Sequence, residues 1–185
     1  MKLEEMNLSE LISKAEEYGA CERHLKKLRS FGSIEEAIQD KEAPYWCYWY
    51  ARNVIQCRWP EAEPIILTSP IYSFLYSQDV IQGRWIEAES VILTDVYYSY
   101  HYARDIIKSR WSEAESIILT DAECSYWYAR YVIKDRWPEA ESVIMTNLGY
   151  SYRYAVDVVR GRWIEAEPVI LNSSYLKSKY EEFIK

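Results

Sequence analysis

The chain has 185 residues, of which 49% are hydrophobic. That length and composition are enough to bury a sizeable core, and they exclude an intrinsically disordered protein. The formal net charge of −7, acidic in both 1–44 and 45–185, argues against a nucleic acid as the main partner. Aromatic residues are biased towards 18 Tyr and 8 Trp against 3 Phe. Rings with a polar atom favour half-buried positions at junctions or on a contact surface.

The segment 1–44 does not follow the periodic pattern of the rest of the chain, but it is predicted to form about three short amphipathic helices. Asn7 is a suitable N-cap for the first of them, and Gly19 is a suitable stop. Ser33 and Glu36 have the spacing of a capping box at the start of the third. We therefore predict that 1–44 is an N-terminal helical cap, which covers the exposed apolar end of a repeat array.

A 26-residue period runs through 45–172. It is marked by the dipeptide Arg-Trp and by Glu-Ala-Glu, with one residue between them. Tandem units at a fixed period are the sequence signature of a solenoid, in which each unit packs on its neighbours. We predict an all-α fold: a right-handed α-solenoid of five helix-turn-helix repeats. The signature residues predicted to have a structural role include Arg58, Trp59, Glu61, Glu63, Arg84, Trp85, Arg110, Trp111, Arg136, Trp137, Arg162 and Trp163.

Each repeat is predicted to contain two helices. The first follows a residue of an N-cap type at equivalent positions, namely Ser69, Asp95, Asp121, Asn147 and Ser173. It ends at a position held by Gly83 and Gly161 in two repeats, where a left-handed conformation is expected. The second helix is about seven or eight residues long, with Pro64 and Pro168 in or near its first turn. Residues 173–185 resemble half a repeat with a polar surface, and we predict that they form a C-terminal capping helix.

A helical wheel separates two faces on the first helix of the third repeat. One face carries Ser99, Tyr102, Ala103, Ile106, Ile107 and Arg110; it is similar in all repeats and is predicted to be scaffold. The other face varies: Trp49, Leu75, His101, Trp127 and Arg153 form one column, and Asn53, Asp79, Asp105, Tyr131 and Asp157 form the next. Varied positions are free to serve one repeat only, and Trp, Tyr and Arg are enriched in binding hot spots. We therefore predict partner binding through Trp49, His101, Trp127, Tyr131 and Arg153.

The recurring Glu-Ala-Glu carboxylates have two interpretations. Paired acids can act as a general acid and base or bind a cation. However, a catalytic constellation has no reason to occur in every repeat of one chain. The pairs also lie in a predicted first turn, where acids favour the positive end of the helix dipole, and an Arg precedes each pair. The structural interpretation is therefore favoured, with Arg–Glu pairs expected to fix the register between repeats. Cation binding stays open as the alternative.

Isolated reactive groups give no sign of an enzyme. The four cysteines, Cys21, Cys47, Cys57 and Cys124, form no CxxC pair and are predicted to be free thiols. His24 is predicted to face solvent, and neither His24 nor His101 is expected to have a nucleophile nearby. The chain has only 5 Gly and no phosphate-binding loop. We predict no catalytic residue, no metal site and no cofactor.

Several words of the sequence, YGACERHLKKL, SIEEAI, APYWCYWYA, GRWIEAEPVI and YSYRYA, resemble the degenerate short-repeat proteins encoded by tailed bacteriophages and large DNA viruses. The resemblance covers nearly the whole chain, and it implies an α-helical repeat protein in the cytoplasm of an infected cell. It implies no activity. A cytoplasmic location also fits the acidic, polar start MKLEEMNLSE, which is unlike a signal peptide, and the lack of an apolar run near the roughly 18 residues of a membrane span.

Three functions follow from these observations. The leading hypothesis is a non-enzymatic protein-binding scaffold that engages a host or defence protein through its varied face. The second is self-assembly into a homo-oligomer through imperfectly capped ends. The third is binding of single-stranded nucleic acid or nucleotides by stacked rings, with Arg104, Arg130 and Arg153 as charge partners; the acidic balance opposes it. An enzyme is the weakest class.

Overall fold

The computed structural model of the protein describes residues 7–185, and within that range every regular element is a helix. The chain divides into two compact units, Met1–Ile92 and Leu93–Lys185. The first contains the N-terminal helices and repeats 1 and 2; the second contains repeats 3 to 5 and the C-terminal helix. The all-α prediction is confirmed, whereas the handedness of the array stays a prediction. Residues 1–6 of the predicted N-terminal cap lie outside the described residues.

Three short helices precede the repeats: α1 (Leu8–Glu17), α2 (Glu22–Leu28) and α3 (Ile34–Ala37). The Asn7 side chain caps α1 by accepting the N–H of Ser9 at 2.9 Å. Gly19 follows α1 with a φ of +81°, a left-handed conformation that costs glycine little. The Ser33 hydroxyl accepts the N–H of Glu36 at 3.3 Å. The predicted caps at Asn7 and Ser33 and the stop at Gly19 are thus confirmed.

The first helix of each repeat begins as an α-helix and ends in a π-helical turn, whose N–H groups bond to carbonyls five residues back. The α-helical parts are α4 (Ala43–Tyr50), α6 (Pro70–Tyr76), α8 (Val96–His101), α10 (Ala122–Tyr128) and α12 (Leu148–Tyr154). The π turns span Ala51–Ile55, Ser77–Ile81, Tyr102–Ile107, Ala129–Ile133 and Ala155–Val159. Four of the five π turns begin with a fully buried Ala or Ser, and in the third the buried Ala103 follows Tyr102. Such small residues let neighbouring helices approach closely.

The residue after each π turn adopts a left-handed conformation: Gln56, Gln82, Lys108, Lys134 and Arg160 have φ between 56° and 63°. The prediction that placed this conformation at Gly83 and Gly161 is wrong, because neither glycine has a positive φ. The wide turn moves the chain reversal one residue earlier; for example, the N–H of Gln56 bonds to the carbonyl of Ala51 at 2.8 Å. A residue with a Cβ pays about 1–2 kcal/mol for this conformation, so packing around the turn must hold it.

The second helices are α5 (Glu63–Ile66), α7 (Ile86–Ile92), α9 (Ser112–Ile118), α11 (Pro138–Ile144) and α13 (Glu167–Ile170), the last preceded by a 3₁₀ turn over Ile164–Ala166. Pro64 and Pro168 lie in the first turn, as predicted. Proline has no N–H to donate to the preceding turn. Consequently α5 and α13 have only 4 residues, whereas α7, α9 and α11 have the expected 7.

A tyrosine hydroxyl joins neighbouring repeats within each compact unit. In the second compact unit, the buried backbone N–H of Trp137 donates to the hydroxyl of Tyr154 at 2.7 Å. That hydroxyl donates to Glu141 at 3.3 Å. The signature Trp and the Ala of Glu-Ala-Glu are at most 2% exposed in every repeat, so this bond lies in the core. Equivalent Trp-to-Tyr bonds of 2.6–2.7 Å join Trp59 to Tyr76, Trp111 to Tyr128 and Trp163 to Tyr180.

The signature Arg and Glu form an ion pair inside each repeat. Arg136 donates from Nε and Nη2 to the two carboxylate oxygens of Glu141 at 2.8 and 3.0 Å. The same two-bond pairing occurs in Arg58–Glu63, Arg84–Glu89, Arg110–Glu115 and Arg162–Glu167. Each pair lies within one repeat, and its expected role in fixing the register between repeats stays a prediction. They orient the second Glu, and the carboxylates of Glu63, Glu115 and Glu141 also accept a hydrogen bond from the next repeat's tyrosine. The first Glu of each Glu-Ala-Glu is exposed.

The predicted scaffold face of the third repeat is only partly buried. Ser99, Tyr102 and Ala103 are fully buried, but Ile106 and Ile107 are half-buried and Arg110 is exposed beyond the helix. The π turn changes the angle between successive side chains, so a wheel at 100° per residue misplaces the last turn. The C-terminal helix, α14 (Ser174–Phe183), buries Tyr180 and leaves its charged residues exposed. Among residues 7–185, no helix has the length and apolar character needed to cross a membrane.

Candidate functional site

The junction between repeats 4 and 5 is closed by Tyr150 and Asp157 of repeat 5. The Tyr150 ring packs on the Tyr126 ring of repeat 4, with centroids 5.6 Å apart. The Asp157 carboxylate accepts hydrogen bonds from the Tyr126 hydroxyl and from Arg130. A ring contact and a charge-assisted clamp thus join α10 to α12, and a smaller space of about 380 Å³ remains beside the clamp, between the π turns that follow these helices.

The junction between repeats 1 and 2, in the first compact unit, is closed in the same way. The Tyr72 ring stacks on Tyr48 at 6.0 Å, and the Tyr48 hydroxyl donates to Asp79 at 2.5 Å. Arg52 lies 3.2 Å from the same carboxylate. Burial, helped by the bond to Asp79, raises the pKa of Tyr48 to about 12, which keeps the hydroxyl a donor at neutral pH.

The junction between repeats 3 and 4 differs at both closing positions. Cys124 stands where repeats 2 and 5 have Tyr72 and Tyr150, and Tyr131 stands where they have Asp79 and Asp157. A groove of about 590 Å³ consequently lies between α8 and α10. We call it the aromatic groove; it is lined by Val96, Tyr97, Tyr100, His101 and Arg104 of repeat 3 and by Asp121, Glu123, Cys124, Trp127 and Tyr131 of repeat 4.

Arg104 lacks the acidic partner that Asp157 provides to Arg130, so it pairs within its own repeat. It donates from Nε and Nη2 to the two oxygens of Asp105, both at 2.7 Å. Its guanidinium also lies 5.1 Å from the centre of the Tyr100 ring. The hydrogen bonds to Asp105 raise the pKa of Arg104 above its ordinary value. Although burial acts to raise the pKa of Asp105, the bonds from Arg104 and His101 lower it. This pair therefore adds no net charge to the groove.

His101 lies on the same wall and is neutral. Its Nδ1 lies 2.8 Å from Arg104 Nη2 and 3.3 Å from Asp105 Oδ2. Burial lowers the pKa of His101, and the charge of Arg104 lowers it further, against the opposing effect of Asp105. The Tyr97 ring packs 4.2 Å from the imidazole. The wall formed by repeat 3 is thus aromatic and uncharged overall.

Trp127 and Tyr131 form the opposite wall. Their rings are stacked, 5.3 Å apart and inclined by 15°. The Arg130 guanidinium lies 5.2 Å from the Tyr131 ring and 5.9 Å from the Trp127 ring. Tyr131 is 42% exposed and Tyr97, across the groove, is 53% exposed. Part of each ring is therefore open to solvent.

The rim of the groove carries two carboxylates. Asp121 caps α10 by accepting the N–H of Cys124 at 2.8 Å, and the exposed Glu123 accepts the indole N–H of Trp127 at 3.3 Å. No Lys or Arg in the described part of the chain lies within ion-pair distance of either acid. Cys124 is buried beneath them, and burial with the nearby Asp121 raises its pKa to about 12. The thiol is therefore protonated, and the groove has a net negative charge.

The structure brings together three of the five residues predicted to bind a partner. His101, Trp127 and Tyr131 line the aromatic groove. Arg153 is exposed but lies outside it, with its guanidinium 5.7 Å from the Tyr150 ring. Trp49 belongs to the first compact unit and is half-buried beside Tyr45 and Trp46. The varied face is thus not one continuous surface of equivalent positions.

Sequence reasoning missed four residues that complete the groove, namely Tyr97, Tyr100, Glu123 and Cys124, and named Arg104 only as a charge partner for nucleic acid. The signal that identifies the site is the column Trp46, Tyr72, Tyr98, Cys124 and Tyr150, in which one aromatic residue is replaced by a thiol. Where one repeat lacks the ring that the other repeats have at this position, the neighbouring side chains leave an unfilled space.

The statement that neither histidine has a nucleophile nearby is also wrong. Cys21 Sγ lies 2.8 Å from His24 Nδ1, and the signal was the three-residue separation across the start of α2. All four cysteines are free thiols. Among residues 7–185, no group of three or more His, Cys, Asp or Glu side chains is arranged to hold a metal ion.

Comparison with known proteins assigns no family to this fold and groove. No family model matches the chain, and neither a curated protein nor a solved structure matches it at a significant level.

Proposed function

We propose that the protein is a non-enzymatic, protein-binding repeat scaffold, and that its aromatic groove receives an arginine side chain of a partner protein. The observation that carries this proposal is the combination of aromatic walls with an acidic rim. Arg104 is neutralised by Asp105, so Asp121 and Glu123 set the charge of the groove. A cationic ligand is the one that gains from both features.

The faces of Tyr and Trp rings attract cations, and arginine in particular stacks on them. The molecule already uses this interaction: guanidinium groups lie 5.1 Å from Tyr100 and 5.2 Å from Tyr131. A partner arginine placed between the exposed rings of Tyr97 and Tyr131 would repeat that contact. Its charge would then lie close to Glu123, which has no basic partner among the described residues.

The size of the groove suits more than one side chain. About 590 Å³ falls within the roughly 300–1,000 Å³ typical of ligand sites, and a guanidinium alone would leave much of it empty. We therefore expect a short segment of the partner to lie across the groove, with apolar residues flanking the arginine. The resemblance to viral repeat proteins supports a host or defence protein as this partner, and the cytoplasm as the place where they meet.

Peptide display tests the proposal directly. Random linear peptides are selected on the wild-type protein and counter-selected on Cys124→Tyr, which returns a ring to the groove. Tyr175→Ala, at a 65% exposed ring outside the groove, is the matched surface control. We expect enriched peptides to carry arginine next to apolar residues and to bind the control normally. Replacing that arginine by its neutral analogue citrulline should weaken binding about tenfold, as expected for a cation between aromatic rings.

Other outcomes assign other functions. Peptides that bind Cys124→Tyr as well as wild type would rule out the groove as the binding site, and enrichment of acidic peptides would refute the charge argument. Salt-dependent binding of a single-stranded oligonucleotide, lost in Trp127→Ala, would indicate nucleic-acid binding instead. A molar mass that rises with concentration in light scattering would indicate self-assembly.

A further inference from the structure

A thiol and an imidazole form a hydrogen-bonded pair in the first compact unit. Cys21 precedes α2 and is exposed. Its Sγ lies 2.8 Å from Nδ1 of the half-buried His24, one turn into the helix. In this geometry the thiol donates and Nδ1 accepts, which leaves the ring proton of His24 on Nε2.

A carboxylate lies behind the imidazole. His24 Nε2 is 3.9 Å from Glu42 Oε2. That oxygen is buried and has no hydrogen-bond partner among the described residues, whereas Glu42 Oε1 lies 3.2 Å from Lys27. A buried carboxylate oxygen without a donor costs free energy, and the Nε2–H of His24 faces this oxygen from 3.9 Å, beyond hydrogen-bond length. Sulfur, imidazole and carboxylate thus stand in the order of nucleophile, base and orienting group.

The other thiols of the chain lack this arrangement. Cys57 is exposed like Cys21, but no hydrogen bond to a histidine is present there in the described structure. Cys47 and Cys124 are buried, and burial raises the pKa of each to about 12. The chain therefore contains one exposed thiol with a base and one exposed thiol without, which makes Cys57 an internal reference.

We propose that Cys21 is a site of mixed-disulfide formation, at which His24 takes the thiol proton while sulfur attacks a low-molecular-weight disulfide. A bond forms between Cys21 Sγ and one sulfur of the reagent, and the reagent's own S–S bond breaks. The departing thiolate takes a proton from His24 or from water. The disulfide itself is the oxidant, and no further reactant is needed.

The groups that face His24 favour the transfer. On its own helix they are Cys21 and, through Glu42, Lys27, which also binds Asp40 at 2.7 Å. From α4 the Tyr45 ring packs against the imidazole at 4.5 Å; burial raises the pKa of Tyr45, so that the phenol remains neutral. The remaining charge next to the imidazole is the Glu42 carboxylate, 3.9 Å from Nε2.

The experiment compares Cys21 with Cys57 in the full chain. Native protein is treated at neutral pH with a dipyridyl disulfide, a neutral probe whose leaving thione absorbs light. Site-resolved mass spectrometry assigns the modified thiol in wild type, so no variant is required for the first comparison. Cys57→Ser and Cys21→Ser then isolate each exposed thiol, and His24→Gln and Glu42→Gln test the base and its support.

We expect Cys21 to react about tenfold faster than Cys57, at the lower end of what a positioned base contributes. His24→Gln should reduce the Cys21 rate to that of Cys57 and leave Cys57 unchanged, with Glu42→Gln between the two. Equal rates in wild type, or a Cys21 rate that His24→Gln does not alter, would overturn the proposal. Circular dichroism of each variant shows whether α2 is retained, and the wild-type comparison decides the matter if it is not.

Discussion

The two inter-repeat junctions of the second compact unit use the same scaffold and differ at the two positions that close the space between the helices. Between repeats 4 and 5, Tyr150 and Asp157 fill and clamp the space. Between repeats 3 and 4, the equivalent Cys124 and Tyr131 leave the aromatic groove. The comparison shows that two substitutions are enough to open a site in the array. Cys124 replaces a ring and Tyr131 replaces an acid, and the space that results is lined by aromatic residues already present in the repeats.

What does not change between the junctions is equally informative. Both contain the bond from a signature Trp N–H to the next repeat's tyrosine hydroxyl, at 2.7 Å for Trp111–Tyr128 and for Trp137–Tyr154. The groove is therefore a feature of the varied face, placed on joints that are otherwise alike. Four changes to the protein test this separation.

The largest effect is expected from removing the shared hydroxyl. Tyr128→Phe and Tyr154→Phe each leave the buried backbone N–H of a Trp without its acceptor. Each should lower the free energy of unfolding by about 1–3 kcal/mol. Urea denaturation measures both, with Tyr97→Phe at the exposed rim as a control expected to stay within about 0.5 kcal/mol. A much smaller loss for Tyr128→Phe would mean that the open junction is a weaker joint, contrary to the comparison.

Filling the groove should abolish binding without loss of fold. The double variant Cys124→Tyr with Tyr131→Asp copies the closed junction, giving Tyr100 a stacking partner and Arg104 an acid in the next repeat. We expect affinity for the selected arginine peptide to fall at least tenfold, about 1.4 kcal/mol. Unfolding should show equal or greater stability, because a ring pair and a charge-assisted bond are added. Calorimetric titration that finds unchanged affinity would place the ligand elsewhere.

Removing one carboxylate from each junction should separate clamping from charge balance. Asp157→Asn weakens a bond between two repeats and should cost about 1 kcal/mol of stability. Asp105→Asn acts inside one repeat, so its effect on stability should be smaller; however, it leaves the charge of Arg104 unbalanced in the groove and should weaken binding of the arginine peptide. Equal effects of the two variants on both stability and binding would contradict this assignment.

The smallest effect concerns pH. The pKa of His101 is lowered in the folded protein by burial and by Arg104, so the unfolded chain binds the proton first as the pH falls. Stability should then decrease below about pH 6.5, the ordinary value for histidine, and level off once the folded protein also protonates. The slope of unfolding free energy between pH 7 and pH 5 should be shallower in His101→Gln than in wild type. An identical slope would show that this wall of the groove does not resist protonation.

Much of this architecture could be predicted from the repeated motifs of the sequence. The period, the two helices of each repeat, the caps at Asn7, Ser33 and Asp121 and the burial of the signature Trp residues depend on local chemistry and on a pattern repeated often enough to average out exceptions. The errors arose where the backbone departs from a regular helix. A π turn places the left-handed residue at Gln82 instead of Gly83, and no side-chain pattern in the sequence marked that turn.

The sequence by itself determined the all-α repeat and the list of residues that vary between repeats. Only the tertiary structure decided which of them form a site, because a groove depends on pairs of residues from neighbouring repeats. Trp127 and Tyr131 face Tyr97 and Arg104 across the groove, which stays open because Cys124 is too small to fill it. Arg153 also occupies a varied position, but it does not line the groove. The period shows which residues the repeats share. The space between two helices depends on the volumes and charges of side chains that come together only after folding.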